Sequence, residues 1–154
     1  MITPVTDVPT IPIQRLPHAE GLELPHYATD GAAGADVCAA VDETLVLAPG
    51  ERAAVPTGLV LEIPTGWEGQ VRARSGLAIR YGVTVVNAPG TIDSDYRGEL
   101  KVLVVNLGDR PVMIERGDRV AQLVVAPAPQ ARFVEAESVA LTGRGAGGFG
   151  STGR

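Results

Sequence analysis

The run LKVLVVNLGDRPVMIERGDRVAQLVVA, residues 100–126, decides the fold. It contains three apolar segments rich in β-branched residues, and the pairs Gly108-Asp109 and Gly117-Asp118 separate them as turn signals. Each segment is too short for a typical helix, and none keeps a 3.6-residue hydrophobic period. The run therefore predicts short antiparallel strands joined by tight turns.

Similar apolar segments recur upstream at residues 45–47, 58–63, 70–73 and 83–86, again between glycine- or proline-containing turns. Turns spaced about 8–12 residues apart are typical of a β-sandwich or barrel. One short helix is expected to have Ser75 as its N-cap and to end at Gly82. We therefore predict an all-β fold with one short helix.

The composition favours one soluble domain with a small acidic excess. The 154 residues suit a single domain over residues 1–142, followed by a flexible glycine-rich arm at 143–154. The net charge of −5 disfavours nucleic acid or an anionic membrane as a partner. The N-terminus resembles neither a signal peptide nor a membrane span, and the lone Cys38 is expected to be a buried small hydrophobe. A cytoplasmic location is expected.

Two early segments carry groups suited to a bound polyphosphate. Asp36, flanked by small residues in AGADV at 33–37, is suited to hold a metal-bound water, although a turn aspartate that caps the backbone is the simpler interpretation. Arg74, Ser75 and Gly76 stand at the start of the predicted helix, where backbone amides point at anions. An ordinary capped turn explains this second segment equally well.

The run NAPGTIDSDYRGE, residues 87–99, is expected to form a hairpin with a functional tip. Its Asp93 and Asp95 resemble the start of a calcium loop, but Arg97 and Val104 occupy positions where that loop needs oxygen ligands. Two carboxylates beside Tyr96 and an arginine are more than a turn requires. The segment is therefore a candidate catalytic site.

Two later segments complete the pattern. In GDRVAQ, residues 117–122, a Gly-Asp turn starts a strand that Gln122 interrupts, and a hydrogen-bonded strand glutamine is the alternative interpretation. RGAGGFGSTG, residues 144–153, lacks the lysine and the following helix of a phosphate loop. Disorder would explain it, but an aromatic set among glycines with an arginine before it also fits a flap that closes over a nucleotide.

These five segments, in this order and spacing, resemble the five motifs of the trimeric dUTPase family. The resemblance covers the chain from about Gly34 to the C-terminus, and five ordered motifs are far more specific than any one of them. Val37 stands where leucine is usual and Ala73 where proline is common, and neither change affects a chemical group. The first dozen residues lie outside the match.

The resemblance implies a distorted jelly roll that assembles as a homotrimer with active sites at the subunit interfaces. It implies Mg²⁺-assisted hydrolysis of dUTP to dUMP and pyrophosphate, which controls dUTP and supplies dUMP for thymidylate synthesis. Asp93 would orient the water that attacks the α-phosphorus, and Asp36 would hold waters on Mg²⁺. Such a metal, bound mainly by phosphates, explains the lack of a His/Asp cluster, and both histidines, His18 and His26, are expected on the surface.

The resemblance also assigns the substrate contacts. The sugar would pack on Tyr96, which would exclude a 2′-hydroxyl. The remaining contacts fall into three groups: the phosphates would be bound by Arg74, Ser75, Gly76 and Gln122; uracil would be read by Asn87, Thr91, Ile92 and Lys101; and the arm of another subunit would close over the site with Arg144, Phe149, Ser151 and Thr152.

Two other functions compete with this one. A dCTP deaminase of related fold would need a glutamate in the strand after Gly98, and the predicted strand at 100–106 has none. A catalytically inactive nucleotide sensor or structural trimer would have no use for Asp36, Asp93, Arg74 and Arg144 together. Both alternatives are less consistent with the sequence than a hydrolase.

Overall fold

The computed structural model describes residues 8–151 and residue 153. Within these residues the chain forms ten strands, one α-helix and a 3-10 turn at Pro17–Ala19. The helix, α1, spans Ser75–Tyr81. The strands are β1 (Ile13–Arg15), β2 (Ala35–Cys38), β3 (Leu45–Leu47), β4 (Arg52–Leu61), β5 (Trp67–Arg72), β6 (Val83–Val85), β7 (Gly90–Ile92), β8 (Glu99–Asn106), β9 (Val112–Ile114) and β10 (Arg119–Pro127).

The strands form two four-stranded antiparallel sheets and one two-stranded ribbon. The sheet orders are β1-β4-β8-β6 and β2-β10-β5-β7, and β3 pairs with β9. Apolar side chains from both large sheets meet in one buried core, which includes Val37, Val55, Leu59, Val71, Val102, Val104 and Leu123. This arrangement is the layered solution that lets each sheet bury one face. The predicted all-β jelly-roll fold is confirmed.

Strand β8 shows how the sequence pattern creates two faces. Leu100, Val102 and Val104 are buried, whereas Lys101 and Leu103 are exposed. Side chains alternate along a strand, so one face of β8 joins the core while the other faces outward. This outward face forms part of the candidate site described below.

The end of β8 is fixed by a buried amide. The Asn106 side chain is fully buried and donates to the carbonyls of Leu47 (2.9 Å) and Arg110 (2.7 Å). Its Oδ1 accepts the N–H of Gly108 at 2.8 Å. A buried polar group needs such partners, because an unpaired one costs about 1–3 kcal/mol. Asn106 therefore holds the turn between β8 and β9 against β3.

Several strand bounds differ from the prediction. β1 and β2 were not predicted as strands, and β7 was expected only as part of a hairpin. β4 begins at Arg52 rather than at residue 58, and β5 begins at Trp67 rather than at residue 70. The missed parts contain alanine, proline and polar residues, whose intrinsic strand preference is low. They form strands because each pairs with a longer neighbour, β4 with β8, β1 with β4 and β2 with β10.

The helix was predicted at the correct place but with the wrong N-cap. Ser75 is the first helical residue, and the cap position is Arg74, which makes no side-chain capping bond. Gly82 ends the helix with φ 69°, a left-handed conformation that glycine adopts without strain. No helix in the described part of the chain is long and apolar enough to span a membrane.

Cys38, at the end of β2, is only half-buried rather than fully buried as expected. Burial raises the pKa of its thiol, and the negative charges of Glu23 and Asp36 raise it further. The neutral thiol is therefore favoured, and Cys38 has the character of a small hydrophobe rather than a nucleophile.

The C-terminal part leaves the sheets at Pro127, well before the predicted domain boundary at residue 142. The N–H of Ala128 still donates to the Gly66 carbonyl at 2.8 Å. Beyond it, every described hydrogen bond of residues 129–153 lies within that segment. Its large apolar side chains are exposed, including Phe133, Val134, Val139 and Leu141.

Candidate active site

The segment around β7 lines a cavity of about 250 Å³. The predicted hairpin over residues 87–99 is wrong, because β7 and β8 belong to different sheets and do not pair with each other. Strand β7 pairs with β5, with Thr91 opposite Gln70 and Gly90 opposite Val71. The turn after β7 leads into β8, so the outer face of β8 closes the opposite wall. Six of the predicted site residues line this cavity: Asn87, Thr91, Ile92, Asp93, Tyr96 and Lys101.

A glycine allows the polar end of Asn87 to reach the cavity wall. Gly90 is buried, and a Cβ at this position would lie 3.0 Å from Asn87 Nδ2 and 3.4 Å from Val71 Cβ. A side chain at this position would push the Asn87 amide away from where it lies. The Asn87 amide, one donor group and one acceptor, is thereby placed beside the free edge of β7.

The ring of Tyr96 is held by its hydroxyl. Tyr96 Oη donates to the carbonyl of Glu99 at 3.0 Å. A Cβ added at Gly98 would overlap that hydroxyl, so the glycine is required for the ring to lie where it does. The ring is 45% exposed and lines the cavity, which gives a ligand an apolar surface of fixed orientation.

Asp93 is the first residue after β7, and its backbone carbonyl accepts the N–H of Tyr96 at 3.2 Å. Its side chain is exposed and lines the cavity. Among residues 8–151 and 153, no hydrogen bond or ion pair engages its carboxylate. An uncommitted carboxylate at the edge of a cavity is available to accept a proton from water or to orient it.

A second cluster surrounds Asp36 on β2. This carboxylate is only 3% exposed, and its Oδ1 accepts from Arg74 Nε at 3.1 Å. Its Oδ2 accepts from Arg119 Nη1 at 3.2 Å, while Gln122 Nε2 lies 3.5 Å from Oδ1. Both oxygens are thus paired, as a buried charge requires.

The same cluster fixes Arg74 at the start of α1. Arg74 Nη1 also donates to the carbonyl of Arg119 at 3.1 Å, so two partners orient the guanidinium. Ser75 and Gly76 follow it and are exposed, with open space around Gly76. The first amides of a helix lack intrahelical acceptors, so this surface presents N–H donors beside a fixed cation.

The contact between Gln122 and Asp36 depends on the absence of a side chain at Gly34, which lies against Gln122. Gln122 and Asp36 are paired across β10 and β2. A Cβ at Gly34 would lie 3.0 Å from Gln122 Cβ, so a larger residue there would displace the glutamine. The AGAD segment therefore contributes packing as well as a carboxylate.

The C-terminal arm makes no described contact with either cluster. Arg144 Nε donates to the carbonyl of Gly147 at 2.7 Å, and Phe149 is fully exposed with φ 52°. Ser151 is also exposed, and Thr152 lies outside the described residues. Within one chain the arm residues are therefore not brought to the cavity.

Comparison with known proteins identifies the family of the chain. The model of the dUTPase family matches residues 20–153, which include all five sequence motifs. The chain belongs to the dUTPase family. The expectation of a nucleotidohydrolase is confirmed at this level.

Individual relatives agree with the family match. The dUTPase family member described here is 60% identical over 147 residues to a deoxyuridine 5′-triphosphate nucleotidohydrolase of Rhizobium etli, covering 94% of both chains. A mutant dUTPase of Staphylococcus bacteriophage 80alpha, solved with dUpNHpp, is 26% identical with a TM-score of 0.82 and covers 96% of this chain and 100% of that one. The sequence comparison and the structure comparison therefore identify the same family.

A third relative bears on the metal. A mutant dUTPase of phage phi11, solved with a structural Mg(II) ion, is 26% identical with a TM-score of 0.74, covering 84% of this chain and 98% of that one. In the described part of this dUTPase family member, no three His, Cys, Asp or Glu side chains are grouped to hold a metal. Asp36 is the acidic residue of the second cluster, and both of its oxygens pair with arginines. The cluster therefore fits a metal ion whose ligands are mainly phosphate oxygens and water.

The structure adds Glu99 to the cavity lining, a residue for which no role was predicted. Its Oε1 accepts from the Gly58 N–H at 2.8 Å and lies 2.7 Å from His18 Nε2. Its Oε2 lies 3.9 Å from Lys101 Nζ. His18 was expected on the surface; instead it is half-buried, because it bonds Glu99.

The protonation of Glu99 follows from these contacts. Burial by itself would raise the pKa of the carboxyl, but hydrogen bonds from His18 and Gly58, with the charges of His18 and Lys101, lower it overall. Glu99 is therefore ionised at neutral pH. Its contribution to stability is present above the pKa of an ordinary glutamate and is lost as pH falls through the lowered value.

Two further residues correct the sequence analysis. Arg119 belongs to the cluster around Asp36, although the GDRVAQ motif was credited only with Gln122. His26 was expected on the surface and is half-buried; its carbonyl accepts the Asp36 N–H at 2.8 Å. A basic residue next to a motif turn was the only sequence signal for Arg119, and no pattern pointed to His26.

Proposed function

We propose that the protein hydrolyses dUTP to dUMP and pyrophosphate, by attack of a water molecule on the α-phosphorus. The observation that carries this proposal is the uncommitted carboxylate of Asp93 at the edge of a cavity lined by Asn87 and Tyr96. Asp93 accepts the water's hydrogen and aligns its oxygen for attack. The reaction limits dUTP, supplies dUMP for thymidylate synthesis, and takes place in the cytoplasm, where Cys38 stays reduced.

The cavity supplies groups for a uracil ring. The Asn87 amide and the backbone of Thr91, Ile92 and Lys101 carry donors and acceptors along one wall. A slot built from backbone is rigid, since the strand pairing of β7 with β5 fixes it. A methyl group on the base has no space in a slot of this kind, so dTTP is excluded.

The triphosphate is bound by the cluster around Asp36. Arg74 uses Nε and one Nη1 hydrogen within the protein, so further N–H groups of its guanidinium remain for phosphate oxygens. The amides at Ser75 and Gly76 and the side chain of Gln122 add neutral donors. Together they neutralise and align the phosphates, which is most of what this chemistry needs.

The residues also fit a magnesium ion that arrives with the nucleotide. Asp36 would hold it through water, since its oxygens already accept from Arg74 and Arg119. When bound, Mg²⁺ neutralises charge on the phosphates. The contribution of the chain itself is to orient the phosphates through Arg74 and to hold the Asp36 carboxylate in place through Arg74 and Arg119.

The active site is shared between subunits of a homotrimer. Within one chain, Arg144, Phe149 and Ser151 make no described contact with the cavity, and the last described segment exposes a series of apolar side chains. An oligomer covers such side chains and brings the arm to a neighbouring cavity. In this arrangement Phe149 stacks on uracil, and Arg144, Ser151 and Thr152 contact the phosphates.

A trimer is therefore expected in dilute solution. Light scattering after gel filtration should give three times the mass of the 16.0 kDa chain. A mass close to that of a single chain over the concentration range used for assays would contradict the shared site.

Discrimination against ribonucleotides is expected to depend on Tyr96. Its ring is fixed by the bond to the Glu99 carbonyl, so a 2′-hydroxyl pressed against it meets a wall that does not yield. We expect kcat/KM for dUTP to exceed that for UTP by at least about a hundredfold. Tyr96→Ala should reduce this ratio about tenfold or more, and Tyr27→Ala, at an exposed tyrosine outside the cavity, should not. Equal ratios in wild type and Tyr96→Ala would remove this role.

The prediction that the strand after Gly98 contains no glutamate is wrong, because β8 begins at Glu99, whose side chain lines the cavity. A deaminase needs a carboxyl group that alternates between neutral and ionised forms. Glu99 accepts two hydrogen bonds at Oε1 and its pKa is lowered, so it is held in one state. This geometry disfavours deamination.

One assay separates the three functions. The protein is incubated with dUTP and with dCTP, each with Mg²⁺, and pyrophosphate and ammonia are measured. Pyrophosphate from dUTP alone supports the proposal. Ammonia from dCTP would indicate a deaminase, and the absence of both products would indicate a sensor or a structural trimer.

A further inference from the structure

Glu99 connects the N-terminal turn of the chain to the nucleotide cavity. Its backbone carbonyl accepts the Tyr96 hydroxyl, and its carboxylate contacts His18, the Gly58 N–H and Lys101. We propose that Glu99, held by His18, is a positioning residue that sets how strongly the cavity prefers a deoxyuridine nucleotide to a uridine nucleotide. The proposal rests on the proposed function and deepens it.

The N-terminal turn is fixed in place, so His18 is a firm anchor. Ala19 is buried against Gly58, whose φ is 65°, and a Cβ at Gly58 would overlap Ala19. Arg116 Nη1 donates to the His18 carbonyl at 2.6 Å, and Arg15 Nη1 donates to the Ala19 carbonyl at 3.1 Å. The N-terminal turn is thus hydrogen-bonded to Arg15 of β1 and to Arg116 between β9 and β10, and it packs against β4.

The anchored carboxylate constrains the cavity in two places. Glu99 begins β8 and pairs with Val60 of β4, and its side chain is also tied to His18 and Gly58. The pairing and the side-chain contacts together hold the carbonyl that accepts the Tyr96 hydroxyl. Through Oε2 it also draws the ammonium of Lys101 toward the same wall. Loss of the anchor frees the tyrosine ring to move aside, so a 2′-hydroxyl meets less resistance.

This role differs from catalysis, since Oε1 of Glu99 accepts from His18 and the Gly58 N–H and Oε2 faces the Lys101 ammonium at 3.9 Å. Its lowered pKa keeps it ionised, so it neither accepts nor donates a proton near neutral pH. A positioning residue of this kind alters binding and selectivity more than turnover. The effect should therefore appear in KM and in the ratio of dUTP to UTP, with kcat largely retained.

The test compares Glu99→Ala, Glu99→Gln, His18→Ala and His18→Gln with wild type. The alanine variants should lower the dUTP preference over UTP about tenfold, mainly through a lower KM for UTP, with kcat for dUTP within about threefold of wild type. The Gln variants retain one hydrogen-bonding partner and should recover part of the preference. Glu43→Ala, at an exposed glutamate outside the cavity, is the matched control and should resemble wild type.

Calorimetric affinities for dUMP and UMP are measured for the same variants, together with melting temperatures and pyrophosphate release from dUTP. A fall in the dUMP-to-UMP affinity ratio, without a matching loss of folded protein, supports the proposal. Ratios within twofold of wild type in both alanine variants would overturn it while leaving the proposed function intact. A fall in both kcat and melting temperature, with no change in the dUMP-to-UMP affinity ratio, would show that Glu99 and His18 have a purely structural role. A wild-type protein that releases no pyrophosphate from dUTP would instead contradict the proposed function.

Discussion

Replacing Asp93 with asparagine is expected to lower kcat for dUTP by about 10²–10⁴-fold while leaving nucleotide affinity within a fewfold of wild type. Asparagine has nearly the same shape as aspartate, so the cavity wall is preserved. The hydrogen bond from the Tyr96 N–H to the backbone carbonyl of residue 93 is preserved as well. It cannot take a proton from water. Steady-state kinetics together with calorimetric binding of a non-hydrolysable dUTP analogue separates the two effects.

The matched control for this variant is Asp95→Asn. Asp95 lies in the same turn and is exposed, but it does not line the cavity. It should retain wild-type turnover, which shows that loss of a nearby negative charge is not the cause. If Asp93→Asn kept more than a tenth of wild-type kcat, another group would have to orient the water.

Removing the arm, residues 143–154, is expected to lower kcat/KM at least about tenfold without loss of the trimer. Residues 143–153 contain six glycines, and fixing each backbone costs about 1–2 kcal/mol, with glycine losing the most. No described contact with the sheets offsets this cost in the free chain. The arm is therefore expected to order only when nucleotide provides partners for Phe149 and Arg144.

Arg144→Ala should reproduce much of the loss, since its charge is the part that acts on the phosphates. Arg132→Ala, at an exposed arginine before the arm, is the matched control. Melting temperature and mass by light scattering are compared for all proteins with saturating Mg²⁺. Equal activity of full-length and truncated protein would show that the arm has no catalytic role, and dissociation of the truncated trimer would show a structural one.

The strands that could be predicted are those whose own sequence carries the pattern. β8 and β10 alternate or run apolar between clear turns, and their bounds were found to within a residue. β1 and β2 are too short and too poor in β-branched residues to stand out, and they exist because longer strands pair with them. Ser75 was misassigned as a cap because a favourable residue type does not fix the boundary of a helix.

The candidate site was predictable where its residues are close in sequence and not where folding brings them together. The segment from Asn87 to Lys101 supplies most of the cavity lining from a single stretch of sequence, although β7 and β8 belong to different sheets and form no hairpin. By contrast, His18 and Glu99 are 81 positions apart, and Arg119 lies 83 positions from Asp36. Neither pairing has a local signal, because the sheet order that joins them is set by the whole chain.

The central claim is tested most directly by hydrolysis of dUTP in oxygen-18-labelled water with Mg²⁺, followed by mass spectrometry of the products. Attack of water on the α-phosphorus, oriented by Asp93, predicts dUMP that carries one labelled oxygen and pyrophosphate that carries none. Label in pyrophosphate, or the appearance of dUDP and phosphate, would contradict the account.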